Sequence, residues 1–465
     1  MKKLKPFASY MVLVVTIGLL LSAASCSRGP KPTNNTDTSN SKITFPKEEI
    51  TLEYYRLWDD NTALDEAIAS YQQAHKNIKI SVRKIAIPVD KTIYDYQNDV
   101  IKQIADGVGP DIFMIHNDWL PYQINQISPA PGGVITVDTF KQKFPEVVVD
   151  DFVANNKIYA LPYYMDNLAL FYNTDLFHAA KIPREQTPPK TWSDVVEITP
   201  KLTKYNTDGS IAQSAINLGL DDNWVPRFAE IIATLIMQYG GDMASPDHTK
   251  ATFDLPVNVA TPYFPGDSAL KFYTDFANPA SNLYTYSDTL NADKSKKFPG
   301  DIQAFMEGKM AMFIGYSYNI NNIKRYTGGR VNFAVANLPQ WRTDEPIVVA
   351  NYWGETVSKN SKYPQVAWDF INYVSQRGIS SYLRNTGHVA ALKGRDDSYK
   401  MNQFYWPFYN QTKFSESWYR LNTAEVEKVF AKMVNNVLRN GIATKTAIDV
   451  AVKEVNALNQ ALWTP

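Results

Sequence analysis

With one cysteine, Cys26, in 465 residues, the chain has no internal disulfide and no thiolate metal centre. The five histidines, His75, His116, His178, His248 and His388, never fall within a helical turn of one another, so no His-x-x-x-His metal helix exists. Neither a Gly-x-Gly-x-x-Gly turn nor a Walker loop occurs, which excludes the ATPase of a transporter. Net charge is lacking too: 47 Lys and Arg stand against 47 Asp and Glu, and no basic stripe offers nucleic acid a footing. The apolar fraction of 45%, with 21 Gly and 27 Pro, is that of a globular chain of two or three domains, not of a disordered, collagen-like or multi-span membrane protein. Aromatic rings, by contrast, are abundant. The 28 Tyr, 22 Phe and 10 Trp exceed what a core needs, because each buried phenol must still find a hydrogen-bond partner, and they point to a binding surface.

Lys2, Lys3 and Lys5, the apolar run Tyr10 to Leu21 and the small residues Ser22 to Ser25 have the layout of a secretory signal over residues 1–25. The run is too short for a stop-transfer helix, which needs roughly 20 apolar residues. Cys26 becomes the new N-terminus on cleavage, a placement that resembles a bacterial lipoprotein box, although Ala23 stands where that box usually has Leu. The resemblance implies a lipidated Cys26 anchored in the membrane by more than one acyl chain; cleavage at another small residue leaves Cys26 a bystander. Residues 26–45 are rich in Ser, Thr, Asn, Pro and Gly and read as a flexible tether.

Beyond the tether, Ile50 to Trp58 reads as a strand, and Leu64, Ala67, Ile68 and Tyr71 as one face of a helix. A strand at Ile78 to Val82, a helix around Tyr96 to Ala105 and a strand at Asp111 to Ile115 complete a βαβαβ run, the pattern of an α/β fold with a parallel sheet. Ligands of such sheets bind at the carboxyl ends of the strands, here Trp58-Asp59-Asp60 and His116-Asn117-Asp118-Trp119. Ile158 to Asn173 is a long extended segment able to run from one domain to the next. Either Thr191 or Ser193 caps the helix that follows Pro188-Pro189. Trp224 to Tyr239, Ser268 to Phe276, the stretch closed by Phe305 to Lys309, Ala367 to Val374 and Ala424 to Leu438 read as helices; Met310 to Gly315 and Val331 to Val335 read as strands.

Gly109-Pro110-Asp111-Ile112-Phe113, the segment Ile158 to Asn173, Pro189-Lys190-Thr191-Trp192, Gly308-Lys309-Met310-Ala311-Met312 and Ser358-Lys359-Asn360-Ser361 ahead of Ala367-Trp368 occur in one order from about residue 50 onwards. In that order and spacing the chain resembles the family 1 extracellular solute-binding proteins, the maltose-binding-protein-like receptors of ABC importers. The resemblance implies a two-lobe periplasmic-binding-protein-like fold of type II, with discontinuous lobes joined by hinge strands. It places the N-lobe at residues 46–166 plus 330–378 and the C-lobe at 167–329 plus 379–465, with crossings near 166–170, 325–332 and 374–383. It also implies a small-molecule solute, a sugar and by expectation an oligosaccharide, held between the lobes of a monomer and passed to ABC permease subunits, with no cofactor, metal or catalysis.

A sugar offers hydroxyls around its rim and an apolar face on each side, so rings beside carboxylates and amides suit it. The candidates in the first lobe are Trp58, Asp59, Asn117, Asp118 and Trp119; across the cleft they are Tyr164, Asp166, Trp224, Tyr316, Tyr318, Tyr352 and Trp353. By resemblance, Asp118 and Asp166 fall where relatives often hold acidic sugar-binding residues. Ser317, flanked by Tyr316 and Tyr318, stands where the family commonly has a stacking Trp, which leaves open which ring stacks. Tyr163 and Tyr164 alternate across a strand, so one faces the cleft and the other the core. Trp192 and Trp368 read as core, and Asp111 as a turn residue. Trp406, Trp418 and Tyr419 fit core, cleft wall or permease surface equally.

Rival readings are a receptor for a polyamine, phosphate ester or iron chelate, a surface scaffold, and a secreted carbohydrate-active enzyme with Asp118 and Asp166 flanking the scissile bond.

Overall fold

The computed structural model describes residues 43–57, 61–88, 91–258, 260–290, 298–420 and 422–463. The expected signal peptide, Cys26, nearly all of the tether, and Trp58 with Asp59 lie outside the described residues.

The βαβαβ run forms as its patterning dictates. Ile50–Leu57 alternates buried and exposed residues over its first half and is buried throughout its second, where it becomes a central strand. It pairs in parallel with Ile78–Ile85 on one side and with Ile112–His116 on the other. Trp353–Val357 joins antiparallel to Ile112–His116, and Leu161–Pro162 closes the five-stranded sheet. The helix Ile93–Ala105 between these strands opens with a capping box in which Thr92 and Asp95 satisfy each other's backbone N–H groups.

A second five-stranded sheet runs Phe333–Asn337, Ala169–Asn173, Met310–Gly315, Ile211–Ile216, Lys204–Tyr205. Beside it the helix Trp192–Leu202 is capped by Thr191 rather than Ser193: its hydroxyl accepts from the Asp194 N–H at 3.1 Å, and the Asp194 carboxylate accepts from the Thr191 N–H at 2.9 Å.

Each sheet carries its own apolar core. One draws on residues between Ile50 and Met165 and between Ala350 and Leu392; the other on residues between Leu168 and Val349 and between Val389 and Val455. These are two lobes, each discontinuous in sequence. Trp192 and Trp368 are fully buried, one in each. Asp111 is a structural residue, accepting from the Glu53 N–H at 2.9 Å and from the Ser361 hydroxyl at 2.6 Å.

Two expected lobe boundaries move. Phe333–Asn337 pairs with Ala169–Asn173 along its whole length, so residues 330–349 belong with the second lobe, and the crossing expected near 325–332 falls at Val349 and Ala350. The helix Pro364–Tyr373 continues through a π-helical turn, Val374–Gly378, into Ile379–Thr386, and Ile379 and Tyr382 pack in the first core. The crossing expected near 374–383 therefore lies beyond it, around Val389 to Leu392. Ile158 to Asn173 does run between lobes, but as separate short strands, because it changes sheet at each step.

At the crossings Asp166–Asn167, Val348–Asn351 and Ser415–Glu416 form a three-stranded sheet. The buried amide of Asn167 is paired on both sides: Asn167 donates to the Phe408 carbonyl at 2.9 Å, and Gln411 donates to the Asn167 side chain at 2.9 Å and to the Leu168 carbonyl at 3.0 Å. A buried, satisfied amide network of this kind fixes the register in which the lobes are joined.

Candidate functional site

A cavity of about 800 Å³ opens where the two cores meet. Thr62, Ala63, Tyr164 and Trp353 come from the first lobe, Arg227, Tyr316 and Tyr318 from the second, and Asp166 and Asn351 from the crossing strands. A narrower cavity of about 320 Å³, lined among others by His116, Trp119, Thr423 and Glu427, shares Arg227, Asn351 and Trp353 with it. The two adjoin through these three shared residues and form neighbouring compartments of the cleft.

Local structure explains which rings face it. Tyr163 and Tyr164 point to opposite sides, as period-two geometry requires. Tyr163 is buried beneath the Arg56 guanidinium, 5.7 Å from its ring centroid, while Tyr164 lines the cleft. The same alternation corrects one candidate. Tyr352 is wholly buried on the face away from the cleft, donating to the Asp151 carboxylate at 2.5 Å, and its neighbour Trp353 takes the cleft side. Trp353 meets Trp119 edge to face, with ring centroids 4.9 Å apart.

Three further candidates are elsewhere. Trp224 packs on the second core with its ring over Gly300, where an added Cβ would come within 3.2 Å of it; the helix expected from Trp224 begins only at Phe228, so the indole sits in the preceding turn. Asn117 and Asp118 line a different cavity from His116 and Trp119, with Asp151, Glu416 and Trp418, although Asp118 stays bonded to His116 behind the cleft wall. The tight turn that returns the Trp119 N–H to the His116 carbonyl at 3.0 Å separates the two pairs. Asp118 is committed there to other groups: His116 Nδ1 at 2.5 Å, Arg420 Nε at 3.0 Å and the Thr423 hydroxyl at 3.2 Å. Burial pushes its carboxyl up, but His116, Arg420 and Thr423 outweigh burial and hold it below its ordinary value.

Asp166 faces the main compartment with both oxygens engaged, one by the Ser317 hydroxyl at 2.7 Å and the other by His388 Nδ1 at 2.8 Å. His388 stacks on Tyr164 with centroids 4.0 Å apart, and Tyr382 lies nearly parallel to Tyr164 at 6.1 Å. Across the cleft Arg227 Nη1 pairs with Glu230 at 3.0 Å while the guanidinium lies 5.2 Å over the Tyr316 ring. Asn351 donates to the same Glu230 oxygen at 3.2 Å. Burial alone would raise the Glu230 carboxyl; Arg227 and Arg420 reverse this and lower it. Glu427, also in the cleft, is pushed up to about 7 by burial and by the charge of Glu230.

Arg227, Asn351, Thr62 and His388 also line the cleft and are not among the sequence candidates. A charged pair at i,i+3, Arg227 and Glu230, opening an otherwise apolar helix was a readable signal. His388 carried none; only the third crossing brings it to Asp166. Among the described residues no cluster of three or more His, Cys, Asp or Glu gathers as a metal site would need.

A family model described as bacterial extracellular solute-binding protein matches residues 66–401. A galactooligosaccharide-binding protein of Bacillus subtilis (strain 168) is 22% identical over 421 residues, covering 87% of this chain and 86% of its own. Two solved structures share the fold. The sugar-binding protein MalE of Xanthomonas citri superposes with a TM-score of 0.72 at 17% identity, over 89% of this chain and 98% of its own. The cyclic alpha-maltosyl-1,6-maltose binding protein of Arthrobacter globiformis gives 0.70 at 18% identity, over 89% and 100%.

Proposed function

The chain belongs to the bacterial extracellular solute-binding protein family, and we propose that it is an exported receptor that captures a carbohydrate, an oligosaccharide, between its lobes and delivers it to the permease subunits of an ABC importer. One observation carries the reading: the interlobe cleft interleaves aromatic rings with side chains that hold hydroxyls. Trp353, Tyr164, Tyr316 and Tyr318 line it together with Asp166, Arg227 and Asn351. At about 800 Å³ the main compartment falls in the usual range for small-molecule sites, roughly 300–1,000 Å³, and the second compartment lengthens it for a chain of sugars. The galactooligosaccharide relative supports the same class of ligand.

Within this reading Trp353 and Tyr318 stack on sugar faces. Tyr164 is already flanked by His388 and Tyr382, and Arg227 covers a face of Tyr316. Trp119 walls the second compartment, and Asp166, Arg227 and Asn351 take hydroxyls. Ligand bridging both lobes favours the closed form over the open one, and the permease distinguishes the two. No bond in the solute is broken. Asp118 and Asp166 line different cavities, which favours a receptor over a glycosidase using that pair. A monomer tethered through lipid on Cys26 suits delivery to a neighbouring permease, and a Cys26→Ser chain then appears in the medium instead of the membrane fraction.

A thermal-shift series over neutral oligosaccharides of increasing length tests the central claim. A ligand at 100 times its Kd stabilises the folded state by about 2.7 kcal/mol and raises the melting temperature accordingly. A series in which no saccharide moves the transition defeats the reading.

A further inference from the structure

A third interlobe cavity, about 500 Å³, shares His388 with the main compartment and has a different character. Three cations reach it from three separate helices. Lys324 comes from Asn319–Thr327 and Arg395 from the start of Asp396–Lys400, both packed on the second lobe; Arg384 comes from Ile379–Thr386 of the first. Ser398 and Asn402 add neutral hydrogen-bonding groups. Among the described residues that line it, none is acidic.

Of the carboxylates nearby, only Glu66 reaches one of the three cations, in a loose and exposed pair with Arg384. Glu66 is 3.7 Å from Arg384 but is a well-exposed group outside the lining. Asp397 lies 3.9 Å from Lys400, and Asp396 is exposed. Lys324 is held by an aromatic face instead of a carboxylate, its ammonium 3.8 Å from the Phe404 ring centroid. Like charges gathered in a concavity repel, and a chain with no net charge has acids to spare for pairing them. A separate cavity has the opposite balance, with Asp118, Asp150, Asp151 and Glu416 in its lining against Lys141. The separation of sign is local and leaves this cavity able to accept an anion.

We propose that this cavity extends the cleft and receives an anionic group, a carboxylate or sulfate, borne by the terminal residue of the bound carbohydrate. His388, which stacks on Tyr164 and pairs with Asp166, forms the wall over which such a ligand passes from the aromatic compartment to the basic one. Arg395 and Arg384 present planar forks suited to a carboxylate or sulfate, and Lys324 a point charge. The proposal rests on the carbohydrate reading above.

Calorimetric titration of the full exported chain with a panel of uronic-acid-terminated oligosaccharides, each paired with its carboxyl-reduced counterpart, and with sodium sulfate alone, tests it. The acidic member of a binding pair is expected to bind at least tenfold tighter at 20 mM salt, with the advantage shrinking toward 500 mM as charge is screened. In Lys324→Ala and in Arg395→Ala the acidic member falls to the affinity of its reduced counterpart, and Lys324→Glu, a charge reversal at an exposed position, makes it the weaker of the two. Equal binding of acidic and neutral members overturns the proposal and leaves the carbohydrate reading standing, as does a preference that survives all three substitutions. Sulfate binding without any preference among saccharides assigns the cavity to free anions and overturns the saccharide-borne source. Failure of every saccharide to bind overturns the proposal together with the reading it rests on.

Discussion

Asp118 of the first lobe accepts a hydrogen bond from Arg420 of the second at 3.0 Å, across 302 positions of sequence, and both side chains are almost fully buried. His116 and Thr423 complete the carboxylate's partners. Removing one member leaves the other charge buried without its counter-ion. Arg420→Ala is expected to lower stability by about 3–5 kcal/mol, whereas Asp118→Leu combined with Arg420→Met recovers most of it. Urea unfolding of the three chains measures this. The Asp118 carboxyl lies below its unfolded value, so the stability it contributes is present above the unfolded pKa and is lost as pH falls through the folded one.

Glu427 has the opposite sign. Its folded pKa of about 7 exceeds that of an ordinary glutamate, so the folded state holds the proton more tightly, and stability falls as pH rises from about 4.5 to about 7. Glu427→Gln is expected to remove this decline and to raise stability at pH 8 by up to about 3 kcal/mol. Thermal melts from pH 5 to 8 compare the two slopes; identical slopes contradict the assignment.

Tyr352 and Trp353 are neighbours in sequence with opposite duties. Trp353→Ala is expected to weaken saccharide binding by tenfold or more, because it removes the ring shared by both compartments. Tyr352→Phe leaves affinity unchanged and costs roughly 1–3 kcal/mol of stability, since Asp151 loses the phenol donor. Titration and denaturant unfolding on the same pair separate the two effects.

Gly354 lies where strand meets helix with no room for a methyl group. A Cβ there would stand 2.7 Å from the Phe152 ring and 2.8 Å from the Ala160 Cβ. Gly354→Ala is expected to cost about 1–3 kcal/mol by overpacking the first core. A melting temperature equal to that of the parent chain would contradict this packing.

The order of elements and their types could be read from the chain, because apolar spacing reports which face of a strand or helix is dry. Ile50–Leu57, Ile78–Ile85, the Thr191-capped helix and Met310–Gly315 fall where patterning puts them, and the burial of Trp192 and Trp368 follows from the same signal. Tyr164, Asp166, Tyr316, Tyr318 and Trp353 reach the main compartment, and Trp119 the second, because strand ends and a crossing segment carry them there.

Periodicity says nothing about which strand a segment pairs with, so the pairing of Phe333–Asn337 in the second lobe and the positions of two crossings emerge only in the tertiary structure. Nor does it say which way a turn points. Asn117 and Asp118 share a turn with His116 and Trp119 yet line another cavity, and Arg420 and Thr423 from the far lobe join His116 in claiming the Asp118 carboxylate. His388, Arg227 and the basic cavity of Lys324, Arg384 and Arg395 exist as groups only once the chain has crossed between lobes. Local spacing fixes the dry faces of the elements; long-range pairing decides which charges and rings meet, since those contacts join residues too far apart in the chain for any short pattern to encode.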